Sequence, residues 1–330
     1  MQRILKGELN SPTKFKEKLW ENIQRLRKKV QENYSIDFAD EELSELLLSA
    51  CRSNDFDVIC QQENKMFLDE DRVSDWIQKK LLPNTVIVRL DDEDVMRLLI
   101  FCIEITYQMF SGGTRATVSA KGFRERRRTF ESILVDQFVG KLGEIMAKKF
   151  LENNFPNTKI DLDWEISRQI EKYRNDIINA KKKVSIKSSP TLAGVWAEAD
   201  IGYDYGITVK CSVPQPTILQ FFIEVCGFTR LLDFAEEKIP SNDILFKDYL
   251  GEMRKRIKEY KCGEIQTDLK GIICGYFKTS GHLPTKEGVS LDYLGVVREE
   301  RYLLPIRELK WTKGEWKAFL KEVEILYEYN

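Results

Sequence analysis

One histidine, His282, in 330 residues leaves little for catalysis that needs an imidazole. Ser-His-Asp and Cys-His arrangements are excluded as the expected chemistry on inventory alone. The seven cysteines (51, 60, 102, 211, 226, 262 and 274) form no C-x-x-C pair, which is poor material for a zinc site. Their odd number and apolar settings, as in Phe101-Cys102-Ile103 and Ile272-Ile273-Cys274, read as buried thiols in a reducing cytosol rather than as a disulfide framework. No apolar run approaches the ~20 residues of a membrane helix. The opening Met-Gln-Arg-Ile-Leu-Lys-Gly-Glu has no continuous apolar stretch of the kind a signal peptide carries, so the expectation is a soluble, cytoplasmic protein. Charge of one sign is also missing. Lys and Arg total 52 against 53 Asp and Glu, a net charge of −1, which argues against a histone-like basic binder but leaves room for a local basic groove. Phosphate-loop, dinucleotide-loop and H-E-x-x-H signatures are absent, as are internal repeats and low-complexity segments.

A core is available: 42% of residues are hydrophobic and 11% aromatic, enough for one large domain or two ordinary ones. The first 110 residues read as mostly helical. Phe15, Leu19, Ile23 and Leu26 recur at three- and four-residue spacing, one apolar helix stripe. Asp40-Glu41-Glu42 and Asp91-Asp92-Glu93-Asp94 open two further helices with acids where the helix dipole favours them. Thr85 to Leu90 reads as a short strand. Ser111-Gly112-Gly113-Thr114 is a break and a candidate hinge, dividing a helical subdomain over 1–110 from a second unit over 111–330.

Beyond the break, a long helix from about Thr129 to Asn153 presents Phe130, Leu134, Phe138, Leu142, Ile145 and Phe150 on one face. Strand patterns follow at Val184 to Lys187, Ile207 to Cys211 and Gly271 to Phe277, with helices at about 216–234 and 243–260. Tyr293 to Val297 and Tyr302 to Ile306 are expected to pair with each other. Thr312-x-x-Glu315 announces a final helix by its capping-box spacing. Strands mixed with helices imply an α/β or α+β core behind a mostly helical N-terminal part.

The chemistry-bearing stretch runs from Asn175 to Ser189 and reads as two short strands joined by a polar turn. Period two puts Val184 and Ile186 on one face and Ser185 with Lys187 on the other, towards a cleft. Asp176, at the start of the preceding strand, is expected to lie close to Lys187. Upstream, Gly140-Lys141-Leu142-Gly143-Glu144 places a carboxylate mid-helix beside small residues that permit close approach to a sheet. Carboxylates that hold Mg²⁺ neutralise phosphoryl charge and lower the pKa of a metal-bound water, and a lysine beside them orients that water. A single Asp rarely suffices for Mg²⁺. Glu144 is the first candidate for the second acid and Glu198, in Trp196-Ala197-Glu198-Ala199-Asp200, the other; in an extended segment Glu198 and Asp200 share a face. Arg115, Lys121, Arg124, Arg126, Arg127 and Arg128 stand in one short stretch with a single acid, and Lys181 and Lys182 add charge near the candidate centre; clusters of this kind track a phosphate backbone.

These residues, over roughly 130–210, resemble the PD-(D/E)XK nuclease superfamily and, within it, type II restriction endonucleases. Asp176 matches the first acid, with Asn175 where the family often has Pro; Lys187 matches the motif lysine and Glu144 the helical Glu. Ser185 stands where the family usually has an acid, and members with Ser there recruit one from the helix or from beyond the lysine, a position that Glu198 occupies. The resemblance implies a restriction-endonuclease-like mixed central sheet flanked by helices. It implies Mg²⁺-dependent, sequence-specific cleavage of double-stranded DNA, with Asp176, Glu144 and the Ile186 carbonyl as metal ligands and Lys187 at the attacking water. A homodimer matched to a palindrome, and a cognate DNA methyltransferase as functional partner, follow from the same likeness. A catalytically inactive DNA-binding protein, or a nuclease for structured DNA or RNA, is the alternative.

Overall fold

The computed structural model describes residues 2–33, 36–62, 65–89, 92–110, 130–164, 175–213, 228–238, 243–259 and 268–325. The chain is an α+β protein with a mixed sheet flanked by helices. The N-terminal part packs α1 (Pro12–Asn33) against α2 (Asp40–Arg52), beside a small antiparallel sheet of β1 (Gln2–Ile4), β3 (Lys65–Leu68) and β2 (Ile59–Gln62). Phe15, Leu19, Ile23 and Leu26 are all buried, as their spacing predicts. A short helix, α3 (Glu70–Trp76), capped by the Asp69 carboxylate, completes this body.

The central sheet has the order β4-β8-β7-β5, from β4 (Thr85–Arg89), β5 (Val184–Ser189), β7 (Tyr205–Ser212) and β8 (Asp268–Lys278). β4 and β7 run antiparallel to β8, while β5 runs parallel to β7. The helices α4 (Glu93–Phe110) and α5 (Phe130–Asn154) cover one face, with Phe138, Leu142, Ile145 and Met146 of α5 packed on Val184, Ile186, Ile207 and Val209. Because β4 lies in this sheet and Val95, Leu98 and Cys102 share its core, the two cores divide near residue 84 apart from Leu192, Ala193 and Ile272, which join the N-terminal one, and a boundary at 110 would cut through the second core.

The other face is covered by β6 (Trp196–Asp200) paired antiparallel with β11 (Arg301–Pro305), over Ala197, Ala199, Cys274, Phe277 and Leu304. The expected pairing of 293–297 with 302–306 is therefore not what forms: β11 pairs with β6, and β10 (Gly295–Val296) with β9 (Ser290–Leu291). Gly275 of β8, at φ 133°, sits where β7 and β8 shift register, and a side chain there would overlap the Lys310 carbonyl. The helices α6 (Phe228–Lys238) and α7 (Ile244–Glu259) form a hairpin-like pair, and α8 (Lys313–Glu322) starts on the Thr312–Glu315 capping box. The expected helix at 216–234 lies partly outside the described residues. Among the described residues no helix is long and apolar enough to cross a membrane.

Candidate active site

β5 is an edge strand, and its open edge is where the candidate residues gather. Asn175 and Asp176 supply the partners that a further strand would otherwise supply. The Val184 amide donates to Asn175 Oδ1 at 2.8 Å, the Asp176 amide to the Val184 carbonyl at 3.2 Å, and the Ile186 amide to Asp176 Oδ2 at 2.6 Å. Asn175 also closes the turn below, donating to the Ala180 and Lys182 carbonyls. Asn175 thus has a structural task that needs its side-chain oxygen and amide together. The segment after Asp176 is not the first strand of a hairpin: it bends, and Ile177 makes an isolated bridge to Leu162. Carbonyls and amides of one strand residue point to the same edge. The Ile186 carbonyl therefore faces the side on which Asp176 lies.

Glu144, on α5, lies within electrostatic reach of Asp176 at this edge. The helix can approach because Gly143 lies against Ser188, where a Cβ would overlap the Ser188 side chain; Gly140, by contrast, has open space around it. Ser188 in turn donates to the Val139 carbonyl at 2.8 Å, tying β5 to α5. Burial pushes the Glu144 carboxyl up to about 8, helped by the charge of Asp176 and opposed by Lys141. Burial likewise raises Asp176 to about 6, against the Ile186 amide, Lys187 and Lys141. Asp176 therefore ionises first, and its charge resists ionisation of Glu144.

Lys141 was not a candidate in the sequence, yet it is part of this cluster. It is buried, donates to Glu144 Oε2 at 2.6 Å and to the Asp163 carbonyl, and lies over the rings of Phe101 and Trp164. The only signal was its i,i+3 spacing from Glu144.

Lys187 emerges on the opposite face of β5 from Ile186 and is bonded to Asp200 Oδ2 at 2.5 Å. Burial works to lower its pKa, but Asp200, Glu198 and Asp176 together hold it above the ordinary lysine value. Glu198 is bonded by Arg301 at 2.6 Å. Glu198 and Asp200 do share a face, but the acid in contact with Lys187 is Asp200. Ser185 does not open on a cleft: it is buried, and its hydroxyl has no hydrogen-bond partner among the described residues. The cause is β6, which brings Ala199 over Gly206, the cross-strand neighbour of Ser185.

Among the described residues no group of three or more His, Cys, Asp or Glu side chains could hold a metal ion. The donors at the edge are two carboxylates, Asp176 and Glu144, and a backbone carbonyl, all hard oxygens that suit Mg²⁺. Two partly buried acids, both held above their ordinary pKa, gain from a divalent cation; in that respect the residues fit the ion. Arg115, Lys121, Arg124, Arg126, Arg127 and Arg128 lie outside the described residues. Lys182 is exposed, and Lys181 pairs with Glu324 while its amide donates to the Val323 carbonyl at 3.0 Å. No model of a known protein family, no curated protein and no solved structure matches this chain.

Proposed function

We propose that the chain is a Mg²⁺-dependent, sequence-specific endonuclease of double-stranded DNA, of the type II restriction kind, on a PD-(D/E)XK-like sheet. The observation that carries the reading is the convergence at one strand edge: Asp176 locked onto the Ile186 amide, with Glu144 acting on it from the helix and Lys187 from the strand. A bound Mg²⁺ would supply charge neutralisation at the phosphate and a more acidic water. Asp176 and Glu144 would hold it, with the Ile186 carbonyl beside them. Lys187, kept protonated by Asp200 and Glu198, serves as a fixed positive charge that orients the water and steadies the developing oxyanion, rather than as a base. Asp200 and Lys141 position Lys187 and Glu144 respectively. A homodimer would present two such edges to two antiparallel strands.

The test is plasmid cleavage with Mg²⁺ by the full chain and by Asp176→Ala and Lys187→Ala. Discrete fragments from the parent chain and none from the variants are expected. Equal cutting by the variants would dismiss the site. Salt-dependent binding without cleavage under any divalent ion would favour the inactive DNA-binding alternative. Cutting confined to branched DNA or RNA would move the substrate class.

A further inference from the structure

A cavity of about 210 Å³ opens on the sheet face opposite α5, next to Lys187. Its floor follows from register. Lys187 of β5 lies beside Thr208 of β7, and Ser189 beside Lys210, so Lys187, Thr208 and Lys210 share one face. Trp196, Glu198 and Tyr293 stand around it. The floor carries more hydrogen-bonding capacity than the protein uses. The Thr208 hydroxyl is buried with no partner among the described residues. Lys210 is buried and donates to Ser49 Oγ at 2.7 Å and to the Leu192 carbonyl at 2.6 Å; burial holds its pKa below the ordinary lysine value, and in its charged form one ammonium proton is left over, which an acceptor in the cavity would stabilise. Among the described residues no carboxylate forms an ion pair with it.

Two of the lining side chains, Trp196 and Tyr293, are aromatic and held in place. The Trp196 indole donates to the Asp292 carbonyl at 2.8 Å. Tyr293, in the turn between β9 and β10, adopts φ 63°, unusual for a bulky residue, and the Arg52 guanidinium sits 4.6 Å from its ring centre. A strained aromatic held by a cation, above a buried lysine and an unused hydroxyl, is a built surface rather than a packing gap.

Size narrows the occupant. An apolar cavity of about 150 Å³ takes one benzene ring. The space here therefore suits one heterocyclic base, with its sugar and phosphate left outside, where Lys187 lies. Aromatic walls stack on a base without regard to sequence, while lysine and hydroxyl donors favour a base edge that carries a carbonyl oxygen. We infer that this cavity receives a single nucleobase, with a carbonyl of the base accepting from Lys210 and Thr208. The DNA-borne form, a base turned out of the duplex beside the cut, rests on the endonuclease reading; a free nucleoside offers the same chemistry without it.

The experiment has two arms, both on the full chain without divalent ions. In the first, duplexes spanning the cleaved position carry one abasic site or one 2-aminopurine, moved step by step. At one position the abasic site is expected to tighten binding about tenfold, since the stack need not be opened, and 2-aminopurine there to change fluorescence on binding. In the second arm, equilibrium dialysis compares guanosine, thymidine, cytidine and adenosine, with adenosine expected to be weakest. Trp196→Ala and Thr208→Val are expected to remove the positional effect or the base preference; the second is nearly isosteric and removes an unpartnered hydroxyl, so it keeps the fold. Cleavage with neither a positional effect nor nucleoside binding overturns the cavity inference and leaves the endonuclease reading standing. Nucleoside binding without any DNA binding supports the cavity and overturns that reading. Loss of neither response in folded Thr208→Val and Trp196→Ala overturns the assignment to this cavity.

Discussion

Replacing Glu144 by Gln tests the electrostatics of the strand edge directly. Gln mimics the neutral acid in shape and still accepts from Lys141, so the change removes only the cost of charging the site. Glu144 titrates at about 8 in the fold against an ordinary 4.5, with burial the main cause. The folded state therefore binds more protons than the unfolded one between those values, and stability falls as pH rises through that window. At about 1.4 kcal/mol per unit, the cost is under ~1 kcal/mol at pH 5, ~2 at pH 6, ~3 at pH 7 and ~4 at pH 8, after which it levels off. Glu144→Gln should accordingly stabilise the metal-free protein by an amount that grows with pH over this range. The assay is urea unfolding of both proteins across that range, with chelator and then with Mg²⁺. Mg²⁺ should stabilise the parent chain, by ~2.7 kcal/mol at a hundredfold excess over its Kd, and the variant much less. Cleavage should be lost in the variant. A difference that is flat with pH, or a variant that is less stable at pH 8, would refute the claim that Glu144 is held protonated by burial beside Asp176.

Lys187→Met should lower single-turnover cleavage by roughly 10²–10³-fold while duplex binding in Ca²⁺ is largely kept, because the fixed charge acts on the water and the developing oxyanion. Gly143→Ala should destabilise the chain by ~1–3 kcal/mol in chemical denaturation, since the new methyl overlaps Ser188 and must push α5 off β5. Lys270→Met should cost ~3–5 kcal/mol by the same measurement. Lys270 donates to Glu42 at 2.6 Å and to the Asp37 carbonyl at 2.7 Å, so its loss leaves the Glu42 carboxylate buried between the N-terminal helices and the central sheet.

What the chain determined by itself is what repeats locally. The α1 stripe, the apolar face of α5, the alternation of β5 and the Thr312–Glu315 cap are set by neighbours within one or two turns, so spacing alone predicts them. The placement of Glu144 beside a close-packed Gly143 was legible for the same reason. What only the tertiary structure decided depends on partners far along the chain. β4 joins β8, more than half the chain further on, and so moves the core boundary to about residue 84. β6 leaves the strand order to pair with β11, which buries Ser185, hands Lys187 to Asp200 and ties Glu198 to Arg301. Lys141 became a member of the site only when Asp163 and the rings of Phe101 and Trp164 closed round it. Periodicity says which face of a strand or helix is apolar; it carries no information on which distant strand will lie across that face, and the pairing of charges follows from that choice.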